Sequence, residues 1–204
     1  MPPLAGWTLW VTGFVGKVPI IDNVMSLMVS DFFMPVTVSL IMLGLWIGLP
    51  DRARREHQQR AIMAASASIG IAIWGVQWLN HIHLWPRPFD LVANDAIRES
   101  ARHAAEIVFY MPHDPSFPSN AATMVFAAAT GVWFGNRKAG VVLYALAFIY
   151  AFARFYAGVH FFVDIVGGAV LGSLISYIMC KYIVPNVEPL PTLLLKLARF
   201  LYIA

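Results

Sequence analysis

Apolar residues run in long blocks along this chain, and polar ones gather in the short stretches between them. Five blocks stand out, at residues 32–49, 61–79, 119–134, 139–153 and 161–180. A helix crossing the hydrocarbon layer needs about 20 residues, within a range of roughly 17 to 25. The first two blocks fit that range; the third and fourth are short, which places their polar ends at or slightly below the headgroup level. The pattern predicts an all-α, polytopic membrane helix bundle of five spans, or six if residues 1–30 also cross. Residues 1–30 mix Trp7, Trp10, Gly13, Gly16, Lys17, Pro19 and Asp22, which suits an interfacial or re-entrant segment. They lack a basic start followed by a clean apolar core, so no signal peptide is expected. Asp31 is placed to cap the first span.

Between the blocks, prolines 86 and 88 keep the exit of the second span out of helix. Residues 95–110 predict a short surface helix, with Glu99, Arg102, His103 and Glu106 at three- and four-residue spacing. Pro112, Pro115 and Pro118 stiffen the turn before Ser119 opens the third span. Residues 193–202 are too few to span and carry Lys196 and Arg199 together, so a helix lying in the interface is expected over 186–204. The whole chain, 1–204, reads as one domain with residues 60–183 as its core.

Composition agrees with a membrane protein, at 59% hydrophobic and only 12% charged. Cys180 stands alone, so no disulfide framework exists, and it reads as a small buried hydrophobe. The net charge of +3 matters less than its placement. Arg52, Arg54, Arg55 and Arg60 precede the second span, Arg137 and Lys138 fill the turn between the third and fourth, and Lys181, Lys196 and Arg199 follow the fifth. All fall on one side, which the positive-inside rule assigns to the cytoplasm. They hug membrane exits rather than forming an aromatic-interleaved patch, which excludes nucleic acid as a partner.

The chemistry lies on the opposite side, in three stretches. They are Asn80–x6–Arg87–Pro88, then Phe117-Pro118-Ser119-Asn120-Ala121, then Ala153-Arg154–x5–His160–x3–Asp164. His160 and Asp164 are four apart; on one helix they share a face, and the carboxylate accepts the imidazole proton. The other ring nitrogen is then free as a nucleophile, with Arg154 upstream to neutralise phosphoryl oxygens. Ionisable groups at a membrane helix end are expensive without a use. The topology brings all three stretches to the extracytoplasmic face, which argues for one site.

These residues resemble the lipid phosphate phosphatase superfamily, the membrane relatives of type 2 phosphatidic acid phosphatases and of vanadium haloperoxidases. Its pattern is Lys-x6-Arg-Pro, then Pro-Ser-Gly-His, then Ser-Arg-x5-His-x3-Asp. The run His113-Asp114-Pro115-Ser116-Phe117-Pro118-Ser119 is most similar to bacterial undecaprenyl-diphosphate phosphatases of the bacitracin-resistance type. The resemblance implies His160 as the nucleophile that becomes phosphohistidine, Asp164 as the group that orients it, and Arg87 and Arg154 as phosphate ligands. It also implies a hydroxyl contact from Ser119 and amide contacts around Asn120 at a helix N-terminus. It implies no metal and no cofactor, a lipid diphosphate as substrate, and the bilayer of a bacterial inner membrane as surroundings.

Three positions depart from that pattern. Ala121 stands where the second histidine, the expected general acid, belongs; in an otherwise intact motif this reads as an inactivating replacement. Asn80 replaces the lysine and removes a positive charge, and Ala153 replaces a serine. His81 and His83 are candidates to stand in for the lysine, and His113 for the acid. Arg98 and Arg102 either hold a second phosphate or pair with Glu99 and Glu106. The alternatives that stay open are a phosphatidylglycerophosphate, phosphatidate or lipid A phosphatase and a non-catalytic lipid-phosphate binder. A transporter fits less well, because no span carries a buried ionisable pair or a break.

Overall fold

A computed structural model describes residues 1–48, 51–82 and 84–201, so His83 and Tyr202 lie outside the described residues. Short helices α1 (Gly6–Thr12) and α2 (Pro19–Val29) lead into α3 (Phe33–Ile47). Long α4 (Arg52–Asn80) follows, then α5 (Asp95–Ile107), α6 (Asn120–Gly135), α7 (Arg137–Tyr156) and α8 (Phe162–Ile178). α8 continues through a π-helical segment, Met179–Ile183, to Asn186, and α9 (Leu190–Phe200) closes the chain. Local capping explains several starts: Asp51 accepts the Arg54 N–H at 2.8 Å, Asn94 that of Ile97 at 3.0 Å, and Asn136 that of Ala139 at 3.1 Å.

α6 is the axis of the bundle, packed against α4, α7 and α8. Its sequence suits that place, because Ala121, Ala122, Thr123, Ala127, Ala128, Ala129 and Gly131 are all buried and let neighbouring backbones approach. The closest approach is at Gly172 of α8, where an added Cβ would meet the Thr123 carbonyl oxygen at 2.1 Å. Met34, Val38 and Met42 of α3 and Leu143 and Ala147 of α7 complete this core.

Span lengths differ from the five expected. Among the described residues three helices are long and apolar enough to cross a membrane, namely Arg52–Asn80, Arg137–Tyr156 and Phe162–Asn186. A fourth span arises if α2 and α3, bent by 61° at residues 30–32, count as one. The 16 residues of α6 reach about 24 Å, short of a layer about 30 Å thick. Hydropathy alone reads a buried central helix and a lipid-facing span alike, which is why α6 looks like a span in sequence.

Two smaller expectations are corrected. α5 ends at Ile107, and its arginines do not pair with Glu99 and Glu106: Arg98 meets Asp95 at 2.7 Å, and Arg102 donates to the Phe89 carbonyl at 3.5 Å. Asp31 caps nothing, since α3 starts without a side-chain cap. The basic helix ends do share one end of the bundle. There Asn136 donates to Gln58 at 3.2 Å, Arg199 pairs with Glu56 at 2.9 Å, and Arg60 pairs with Glu188.

Candidate active site

At the other end, the exit of α4, the start of α6 and the α7–α8 turn enclose a cavity of about 490 Å³. Arg87, Asn120, Ala121, Arg154 and His160 all line it. So do Asp31, Tyr110, His113, Asp114 and Tyr150, and one wall is apolar, built from Pro35, Ile73 and Met124.

His160 sits in the turn two residues before α8, not on the helix. Gly158, with φ +67°, makes that turn, and an added Cβ would lie 2.8 Å from the Ala101 Cα. The imidazole Nδ1 is 2.9 Å from the Ser116 carbonyl oxygen. A carbonyl only accepts, so Nδ1 carries the proton and Nε2 presents its lone pair. That nitrogen lies 3.4 Å from the Arg87 Nη1. Burial, and secondly the Arg87 charge, push the His160 pKa down to about 4, so the ring is neutral at neutral pH.

The expected imidazole–carboxylate bond is therefore replaced. Asp164, fully buried in the first turn of α8, stands 3.6 Å from Nδ1. Its carboxylate instead accepts from the Trp85 Nε1–H at 2.9 Å, the Ser116 hydroxyl at 2.5 Å and the Phe161 N–H at 2.8 Å. Its own carbonyl accepts the Ser119 N–H at 3.1 Å. Asp164 thus ties together the segments bearing Trp85, Ser116 and His160, and it orients the imidazole through Ser116. No period or spacing in the sequence links Trp85 or Ser116 to Asp164, because both lie in loops that fold back onto the first turn of α8.

Both cavity arginines are buried and each holds a carboxylate. Arg87 donates from Nε to the Asp114 carbonyl at 2.7 Å, from Nη1 to the Val159 carbonyl at 2.7 Å, and from Nη2 to the Asp114 carboxylate at 2.8 Å. Burial pulls its pKa down and Asp114 opposes that shift. Arg154 donates to the hydroxyls of Tyr110 and Tyr150 and, from Nη2, to Asp31 at 2.7 Å. Its guanidinium lies 4.4 Å from the Tyr110 ring centre, a cation–π contact. Burial lifts the Tyr110 hydroxyl to about 12, keeping it protonated as a donor to Asp31 at 2.8 Å.

Other residues named from the sequence fall differently. Ser119 is fully buried as the α6 cap, its hydroxyl accepting from the Ala122 N–H at 3.4 Å, and it does not line the cavity. Asn80 is also buried away from the cavity lining, with no hydrogen-bond partner on its amide. Asn120 faces the cavity and donates to Asp114 at 3.5 Å. His81 bonds the Gln77 carbonyl at 2.8 Å on α4, whereas His113 lines the cavity.

Taken together, this is a helical membrane bundle whose non-basic end gathers two buried arginines and a neutral histidine around one cavity. The sequence pattern of the PAP2 superfamily matches residues 61–188, and the chain belongs to that superfamily. It is 27% identical over 164 residues to "Undecaprenyl-diphosphatase BcrC" of Bacillus subtilis (strain 168), covering 80% of this chain and 75% of that one. It is likewise 27% identical over 175 residues to "Putative undecaprenyl-diphosphatase YbjG" of Escherichia coli (strain K12), covering 85% and 72%. No solved structure matches the chain.

Proposed function

We propose that this chain is a membrane lipid phosphatase acting on the terminal phosphate of a polyprenyl diphosphate, with undecaprenyl diphosphate as the substrate its two relatives suggest. The observation that carries the reading is that His160, Arg87, Arg154 and position 121 line one cavity with an apolar wall. The neutral Nε2 attacks the terminal phosphorus, a P–N bond forms, and the bridging P–O bond breaks to release the lipid monophosphate. Water then cleaves the phosphohistidine, giving inorganic phosphate and restoring the ring. Arg87 and Arg154 counter the charge on the equatorial oxygens, and Asn120 adds contacts at the start of α6. Asp164 acts at one remove, by holding Ser116 and the turn that carries His160. The basic helix ends at the opposite end of the bundle support a site that opens on the outer face of the membrane.

Ala121 leaves the bridging oxygen without the expected proton donor, so turnover is slow in this chain. Ala121→His should raise phosphate release from polyprenyl diphosphate by about 10²–10⁴, the usual worth of a positioned general acid. His160→Ala in that protein should abolish release. A nitrophenyl phosphate, whose leaving group needs no proton, should respond far less to position 121. Equal rates with alanine and histidine on the lipid would remove position 121 from the chemistry. His113, which shares the cavity, would then be the acid to test, and tight lipid binding without turnover would favour a binder.

A further inference from the structure

The phosphate ligands proposed above are already occupied. Each arginine side chain is 4% exposed, yet its carboxylate partner is 45% exposed for Asp114 and 58% exposed for Asp31. In both pairs the carboxylate sits on Nη2. Other contacts hold the guanidinium groups as well. Arg87 keeps the backbone carbonyl of Val159 through Nη1 and that of Asp114 itself through Nε, and Arg154 keeps the hydroxyls of Tyr110 and Tyr150. Among the described residues the buried Arg154 Nε has no hydrogen-bond partner. The guanidinium groups are thus the buried partners and the carboxylates the outward ones, each of which also accepts a second donor, the Tyr110 hydroxyl on Asp31 and the Asn120 amide on Asp114. The charge count agrees: two arginines face two aspartates in the cavity lining, so each guanidinium charge is already matched by a carboxylate.

We propose that Asp31 and Asp114 are resident anions of the cavity, displaced by the phosphoryl group when it binds. This rests on the phosphatase reading and adds two positioning residues to it. The carboxylates keep the buried guanidinium groups paired while the site is empty, since an unpaired buried charge is strongly unfavourable. They also set a threshold: an incoming group must carry enough charge and enough acceptor oxygens to replace a carboxylate on each Nη2. A phosphoryl group does; chloride or a single carboxylate does not. Asp31 lies at the bend between α2 and α3, so its release also frees the N-terminal end of α3 beside the apolar wall.

The test is binding of inorganic phosphate to the full chain in detergent, by calorimetry, with thermal unfolding as the check that each variant folds. Asp31→Asn and Asp114→Asn keep shape and remove charge. Each should bind phosphate at least about tenfold more tightly than the parent, because a competing charge at contact distance has gone. Asp31→Glu should restore weak binding, and Asp31→Ser gives a second neutral variant if the asparagine protein fails to fold. Unchanged or weaker binding in the neutral variants, with wild-type binding still lost in Arg87→Gln and Arg154→Gln, would overturn displacement alone. Phosphate binding absent from all of them, or indifferent to both arginines, would overturn the phosphatase reading as well.

Discussion

A histidine attacks phosphorus only as the neutral ring, and at His160 burial and the Arg87 charge hold the pKa down to about 4. The same displacement has a measurable effect on stability. In the unfolded chain His160 returns to about 6.5, so between pH 6.5 and 4 the unfolded state binds more protons than the folded one. The contribution of the neutral ring is therefore complete above pH 6.5 and is lost as pH falls toward 4, by up to roughly 3 kcal/mol. Thermal unfolding in detergent should show this loss in the parent protein. His160→Gln, which cannot titrate, should lose less over the same interval, whatever its stability at pH 7. Identical pH profiles would mean that His160 is not held neutral by its surroundings. Ser116 and Trp85 belong to the same scale, since their bonds to Asp164 fix the turn that presents the His160 ring to the cavity.

Helices α3 and α4 supply what single residues do not, an apolar seam that starts at the site cavity. Pro35 from α3 and Ile73 and Gln77 from α4 line the site, while Ser39, Met42 and Trp46 with Ile62, Ser66 and Ile69 line a second cavity of about 590 Å³. The positions 35, 39, 42 and 46, and 62, 66, 69, 73 and 77, step by three or four, so each helix offers one continuous stripe to the seam. From residue 62 to 77 that stripe runs about 22 Å. If the proposed polyprenyl diphosphate binds at His160, its tail would leave past the Pro35–Ile73 wall and along this seam. In the Ala121→His protein, Ser66→Trp should raise KM for a long-chain polyprenyl diphosphate several-fold and leave a short, water-soluble diphosphate within about twofold. Equal effects on both substrates would remove the seam from substrate binding. What the sequence shows and hides at this scale follows from the physics. Sparse charges at the ends of apolar helices are conspicuous, and Arg87, Asn120, Ala121, Arg154 and His160 do share one cavity. Asp31 is different: beside an apolar block it reads as a cap, yet it pairs with Arg154, 123 residues away, a contact that only the α2–α3 bend creates. Asp114 and Tyr110 are hidden for the same reason, since loops bring them in, whereas Tyr150 sits four residues before Arg154 on α7, one helical turn away.

For the whole molecule the decisive asymmetry is between its two ends. Glu56, Arg60, Asn136, Glu188 and Arg199 interlock at one end, around the basic starts of α4 and α7 and the region after α8. The two buried arginine–aspartate pairs and His160 occupy the other. Lysine and arginine near span ends favour the cytoplasm, so the interlocked end should face inward and the site outward, where a lipid diphosphate exposed on the outer leaflet would meet it. Single cysteines report this directly once Cys180, the chain's one native cysteine, is replaced by serine. Ala53 at the start of α4, Lys138 at the start of α7 and Ala93 before α5 are all exposed, and none of them lines the site cavity. In intact cells an impermeant thiol reagent should label Ala93→Cys and spare Ala53→Cys and Lys138→Cys, and permeabilised cells should label all three. The reverse pattern would turn the molecule over. The cavity would then open to the cytoplasm, and a substrate presented on the outer leaflet would never reach His160.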